Sequence, residues 1–254
     1  MHILVASPAD AQKLRSALVG LGHSCEEATP YRETPEVAQF SGPYDAVVLQ
    51  VTDTLSDAFP VLREIRGRGL PIPVVVLCNK FRMEDEQEAF NLGADDVLTT
   101  PISLQLVVVR LQAIQRRILG HSTAILRCGN VTLNQSRREV AVDGTHVRIT
   151  AREFDVLETL MLRRGMLLTK ELFMSRAYNE SDGPNVRILD VFVCKLRRKL
   201  AAAGAAEIVR TVWGSGYMLR EPSEAEIAMA RSRLSSGKPR KQRAHLALAP
   251  VFAA

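Results

Sequence analysis

Cysteine is scarce in this chain, and no two cysteines are close. Cys25, Cys78, Cys128 and Cys194 stand far apart with no Cys-x-x-Cys pair. That excludes a zinc knuckle and a disulfide framework, and it suits the reducing cytoplasm. The five histidines are scattered, and there is no His-Glu-x-x-His, P-loop, Gly-x-Ser-x-Gly or dinucleotide glycine fingerprint. Metal hydrolysis, nucleotide hydrolysis and serine-nucleophile chemistry therefore lack their usual parts, and no cofactor or metal is expected. No apolar run approaches the roughly 20 residues of a membrane span. The opening Met-His-Ile-Leu-Val-Ala-Ser lacks the basic start of a secretory signal.

The charge is divided unevenly along the 254 residues. Residues 1–120 hold 11 Lys and Arg against 15 Asp and Glu, net −4, and residues 121–254 hold 22 against 13, net +9. A basic second half suggests a polyanionic partner.

The first half alternates unbroken apolar runs with amphipathic stretches. Ile3–Ala6, Ala46–Leu49, Val74–Leu77 and Val97–Leu98 suit strands buried on both faces of a parallel sheet, with a weaker strand at 24–27. Helical patterns fall near 9–19, 54–67, 84–92 and 103–119, with Gly20 and Gly93 at expected C-caps. The pattern predicts a doubly wound α/β domain over 1–120.

After Gly120-His121-Ser122 the pattern changes. Ile125–Leu133, Glu139–Val142 and Val147–Ile149 read as short strands, with Asp143-Gly144 as a hairpin turn. Three helices follow. The first opens on a Thr150/Glu153 capping box, the second starts after Thr169, and the third spans about 185–200. A hairpin, Val209–Val212 with Tyr217–Leu219, closes a winged helix-turn-helix over 123–221. Residues 222–254 form a basic tail, helical near Glu224–Leu234 and then expected to be disordered.

The third helix carries the sharpest pattern. Leu189, Val193, Leu196 and Leu200 form one stripe, with Phe192 beside it. Arg187, Val191, Cys194 and Arg198 fall opposite, flanked by Lys195. Cations with small apolar groups between them match phosphates, guanine edges and thymine methyls of a DNA major groove. A plain solvated basic face is the alternative reading.

The stretches "LTKELFMSRAY", "ILDVFVCKLRRKL" and "IVRTVWGSGYMLR" resemble the effector domain of OmpR/PhoB-family response regulators, on the CtrA-type branch of cell-cycle regulators. The resemblance implies groove contacts by Arg187, Val191, Cys194 and Lys195. It implies backbone or nearby basic roles for Arg197 and Arg198, and a wing of Thr211, Trp213, Ser215 and Tyr217. For Trp213, packing beneath the wing is the alternative to minor-groove contact. The segment Thr169–Tyr178 and the loop Asn179–Pro184 match the region that touches RNA polymerase. Two protomers are expected to read a direct, A/T-rich repeat of double-stranded DNA, paired through the helices near 84–92 and 103–119. The basic residues after 230 could add non-specific DNA affinity, and the final Ala253-Ala254 is similar to an end read by a protease.

The first half resembles the family's receiver domain but lacks its chemistry. Where the family carries two acids after the first strand, this chain has Ser7-Pro8-Ala9. Gln50 stands at the phospho-acceptor position, Cys78 at the Ser/Thr position and Thr100 at the Lys position, before Pro101. Glutamine has no anionic oxygen to attack phosphorus, and no carboxylate pair remains to hold Mg²⁺. The reading is a pseudo-receiver, with no catalytic and no phospho-acceptor residue. Asp53 is expected to cap the following helix, and Asp95-Asp96 to be structural. In a second reading, a small molecule or partner protein bound to residues 1–120 controls the chain, held at the old strand-end crevice.

Overall fold

The computed structural model describes residues 1–177 and 188–236. The α/β half runs β1 (His2–Ala6), α1 (Gln12–Gly20), β2 (Ser24–Glu27), α2 (Thr34–Phe40), β3 (Ala46–Val51), α3 (Phe59–Gly67), β4 (Val74–Cys78), α4 (Met83–Asn91), β5 (Asp96–Thr99) and α5 (Leu104–Ile118). Its five strands are all parallel, in the order β2-β1-β3-β4-β5. The doubly wound expectation holds. β1 and β4 are buried along their whole length, because helices cover both faces of the sheet.

Three details differ from the sequence pattern. Helix α2 was not legible, since Pro30, Pro35 and Pro43 make that segment read as loop. Pro35 in fact sits in the first turn, where no backbone donor is needed. Strand β3 continues through Gln50 to Val51, with Gln50 opposite Leu77. Gly20 is still helical, and Gly22 (φ 86°) makes the left-handed turn after α1; Gly93 (φ 99°) does so after α4 as expected.

The second half opens with an antiparallel sheet of β6 (Ile125–Cys128), β7 (Val131–Asn134), β8 (Glu139–Val142) and β9 (Thr145–His146), in that order. The run Ile125–Leu133 is thus two strands, folded at Gly129 (φ 53°). A side chain there would lie 2.4 Å from the Pro222 ring. Asp143 (φ 47°) and Gly144 (φ 80°) form the expected two-residue turn. A turn that tight starts the return strand at once, so the strand is Thr145–His146, not Val147–Ile149.

Helix α6 (Ala151–Leu162) begins on the Thr150/Glu153 capping box, both bonds of which are made. Then come β10 (Leu167–Leu168), α7 (Lys170–Ala177), α8 (Ile188–Ala202), β11 (Val209–Val212), β12 (Gly216–Leu219) and α9 (Glu224–Ser235). β10, β12 and β11 form a three-stranded sheet in that order. A core of Phe154, Leu157 and Leu160 from α6 meets Leu189, Val193 and Leu196 from α8. Helix α9 lays Ile227 and Ala230 against Ala206.

The two halves touch at the N-terminal edge of the parallel sheet. Asp45, just before β3, faces Arg163 after α6 at 3.5 Å. Leu119 packs on the second core, and His121 Nε2 lies 3.0 Å from the Leu162 carbonyl.

Candidate nucleic-acid interface

Helix α8 is amphipathic in the expected sense. Leu189, Val193, Leu196 and Leu200 are buried, while Val191, Cys194, Lys195 and Arg198 are exposed together on the other face. They stay exposed with the α/β half docked. Arg187 lies outside the described residues, as do the loop 179–184 and the tail 237–254.

Not every cation on α8 faces outward. Arg197 Nη2 donates to the Val209 carbonyl at 2.8 Å and to Thr211 Oγ1 at 2.9 Å. Its guanidinium also lies 5.5 Å from the centre of the Tyr217 ring. Lys199 donates to Glu153 at 2.6 Å, and that carboxylate is sealed from solvent. Burial alone raises the Glu153 carboxyl. The Lys199 ammonium and the Thr150 donors together outweigh burial and hold it below the usual range. The same carboxylate therefore closes a capping box and anchors α8. Asp190, on the first turn of α8, accepts from Lys170 at 3.0 Å and from the Tyr217 hydroxyl at 2.8 Å. Burial, then the bond to Asp190, pushes the Tyr217 phenol up to about 12. It stays protonated and donates.

These three anchors bind α8 to α6, to α7 and to the β11–β12 hairpin. Sequence reading missed Glu153–Lys199 and Asp190 as partners, because they are 46, 20 and 27 positions apart from their mates. No helical or strand period links positions at such separations. The structure also turns Tyr217 and Arg197 inward, the first buried and the second half-buried. Their observed contacts support the hairpin.

The hairpin itself reaches outward at its tip. Trp213 is 76% exposed, Ser215 is exposed, and Thr211 is half-buried. An indole that open is not packed beneath the wing. Arg210, on the same strand as Thr211, is also exposed and was not singled out from the sequence.

The strand ends of the α/β half carry an amide, a thiol and a hydroxyl, at Gln50, Cys78 and Thr100. Gln50 is half-buried in β3. The Cys78 thiol is buried and donates to the Lys80 carbonyl at 3.1 Å. The Thr100 hydroxyl donates to the Asn79 side chain. Asp10 accepts from the Gln12 N–H at 2.8 Å, just before α1. Asp53 does not cap: Thr54 takes the N-cap position and its hydroxyl meets Ser56 at 2.8 Å. Asp95 accepts from Arg66 at 2.9 Å and from the Val74 N–H at 2.7 Å, and Asp96 pairs with Arg110 at 2.8 Å. Those acids brace the sheet edge. Among the described residues, no group of His, Cys, Asp and Glu is placed to hold a metal, and no helix is long and apolar enough to cross a membrane.

Comparison with known proteins places the chain in a family. The family model "Transcriptional regulatory protein, C terminal" matches residues 144–219. The cell cycle response regulator CtrA of Brucella anthropi is 38% identical over 185 residues, 72% of this chain and 79% of that protein. The cell cycle transcriptional regulator CtrA of Caulobacter vibrioides is 37% identical over 182 residues, 71% of this chain and 79% of that protein. Among solved structures, the Thermotoga maritima response regulator DrrB, an OmpR/PhoB homolog, covers 86% of this chain and 98% of its own at 19% identity, with a TM-score of 0.38. The DNA-binding domain of Klebsiella pneumoniae RstA, solved with its RstA box, covers 38% of this chain and 97% of its own at 25% identity, with a TM-score of 0.34. The chain belongs to the OmpR/PhoB family of response regulators, among the CtrA-like transcriptional regulators that carry a C-terminal DNA-binding domain.

Proposed function

We propose that this regulator reads a tandem, A/T-rich repeat of double-stranded DNA as a homodimer, and that it needs no phosphoryl signal to do so. The observation that carries the reading is the outward face of α8: Val191, Cys194, Lys195 and Arg198 are exposed while the α/β half is docked. A face that is already open requires no release. The groove set is these four residues and Arg187, with Thr211, Trp213 and Ser215 approaching the neighbouring minor groove. Lys195 and Arg198 supply charge to phosphates and base edges; Val191 and Cys194 offer apolar contact to thymine methyls. Arg197 and Tyr217 hold the hairpin in position behind them. Domain limits of 1–120, 123–221 and 222–254 accompany this division of work.

The absence of phosphoryl transfer rests on the side chains at the strand ends. An amide, a buried thiol and a hydroxyl replace the acceptor and its neighbours, and Ser7-Pro8-Ala9 replaces the acid pair. The α/β half then serves as a pairing platform. Met83 and Phe90 on α4, with Leu106 and Val109 on α5, are exposed large apolar side chains on adjacent helices, and burying them between two copies would be favourable. The segment around α7 and the loop after it is assigned to contact with RNA polymerase.

Selection from random DNA with untreated full-length protein tests the reading. An enriched direct repeat is expected. Enrichment only after treatment with acetyl phosphate and Mg²⁺ would overturn it.

A further inference from the structure

A cleft of about 500 Å³ opens where the two halves meet. It lies before β3 and β4 and beside the end of α5, at the opposite pole of the sheet from Gln50. Its volume falls within the range of small-molecule sites. The walls are apolar, built by Ala38, Leu70, Pro71, Ile72, Ile118 and Leu119. One end is polar, where Asp45, Gln115 and Arg163 meet.

The charge at that end is not evenly spent. Asp45 is sealed, with its side chain 1% exposed. It already accepts from the His2 N–H at 2.9 Å and from Gln115 at 2.6 Å. Its contact with Arg163 is long, at 3.5 Å. The Arg163 Nε is buried with no hydrogen-bond partner among the described residues. Across the seam, Arg116 on α5 also has a buried Nε without a partner among them, and its Nη1 reaches Gln135 at 3.3 Å. Neither Nε has accessible surface, so what Arg163 offers the cleft is the part of its side chain that stays open, 24% of it. A cationic ligand would have to reach Asp45, which is closed off. An anionic one meets Arg163, which retains donors and stands at the cleft.

We propose that this cleft binds a small monocarboxylate with an apolar body, its head held by Arg163 and its chain lying against Ile72, Ile118 and Leu119. Because Arg163 comes from the DNA-binding half and the walls come mainly from the α/β half, such a ligand contacts both. It competes with Asp45 for Arg163 and so alters how the halves are joined. The inference does not depend on the DNA reading, and its test uses no DNA.

Decanoate, titrated into the full chain and followed by calorimetry and by thermal unfolding, is the probe. Decanol supplies the same body without the charge, and acetate the head without the body. Saturable binding of decanoate with a raised unfolding temperature is expected, with decanol and acetate at least about tenfold weaker. Arg163→Gln should weaken decanoate about tenfold. Ile118→Asp, at a half-exposed wall position that leaves the ion pair intact, should do the same by placing an anion in the cleft. If Arg163→Gln does not fold, Ile118→Asp decides alone. Equal binding of decanol and decanoate, no saturation, or undiminished binding by Ile118→Asp would each overturn the proposal.

Discussion

Lys195 and Lys199 stand one turn apart on α8 and face different surroundings. Lys195 is exposed beside Val191, Cys194 and Arg198, and Lys199 reaches a sealed carboxylate. Lys195→Ala should leave stability unchanged and weaken DNA binding, lowering the slope of log affinity against log salt by about 1 if it meets a phosphate. A salt titration of binding reads this, and an unchanged affinity and slope would remove Lys195 from the interface. Lys199→Met should instead destabilise the winged domain, by about 3 kcal/mol, because it strands Glu153 in the core. Denaturant unfolding checks that figure. The pH dependence has a definite sign. Glu153 has a depressed folded pKa, so the stability it contributes is present above the ordinary carboxylate range and is lost as pH falls through the folded value. Glu153→Gln should flatten that acid limb of the stability curve while lowering the plateau at neutral pH.

At the scale of elements, what was legible had a period or a local code. The stripe on α8, the capping box at Thr150 and the Asp143-Gly144 turn each depend on neighbours within one or two turns of chain, and all three are present. What was not legible depended on distance. The two-residue strand β10 has no alternation to read, and the fold at Gly129 depends on Pro222, far along the chain. Gly216 shows the same dependence more sharply. At φ 145° an added Cβ would lie 2.2 Å from the Leu168 carbonyl oxygen, so Gly216→Ala must separate β12 from β10. We expect loss of thermal stability with weakened DNA binding, read by calorimetry and a binding titration together. Trp213→Ala at the exposed tip should separate those effects: unfolding unchanged, DNA affinity reduced. A fall in unfolding temperature would return the indole to a packing role.

For the whole molecule, the residues at the strand ends were easier to read from the sequence than the contacts of the hairpin. Gln50, Cys78 and Thr100 could be read as substitutions at three strand ends once the family pattern was visible. The inward turn of Arg197 and Tyr217 could not, since only the packed hairpin decides which cation is a tie and which is a contact. Restoring a single acid should therefore restore nothing. Gln50→Asp is expected to gain no phosphoryl mass with acetyl phosphate and Mg²⁺, because the acid pair and the lysine remain absent; a mass gain would show that one carboxylate is enough. The three anchors of α8 carry a different implication. Glu153, the pair Lys170 and Tyr217, and the Val209–Thr211 segment grip the helix from separate sides, much as keyways fix a shaft. Each residue step along a helix turns it by about 100°, so a roll large enough to present the wrong side chain must break several of these bonds at once. On the proposed reading of DNA, near-matches in a genome should be refused abruptly, and loosening one keyway should blur the choice of sequence before it weakens the grip on the backbone.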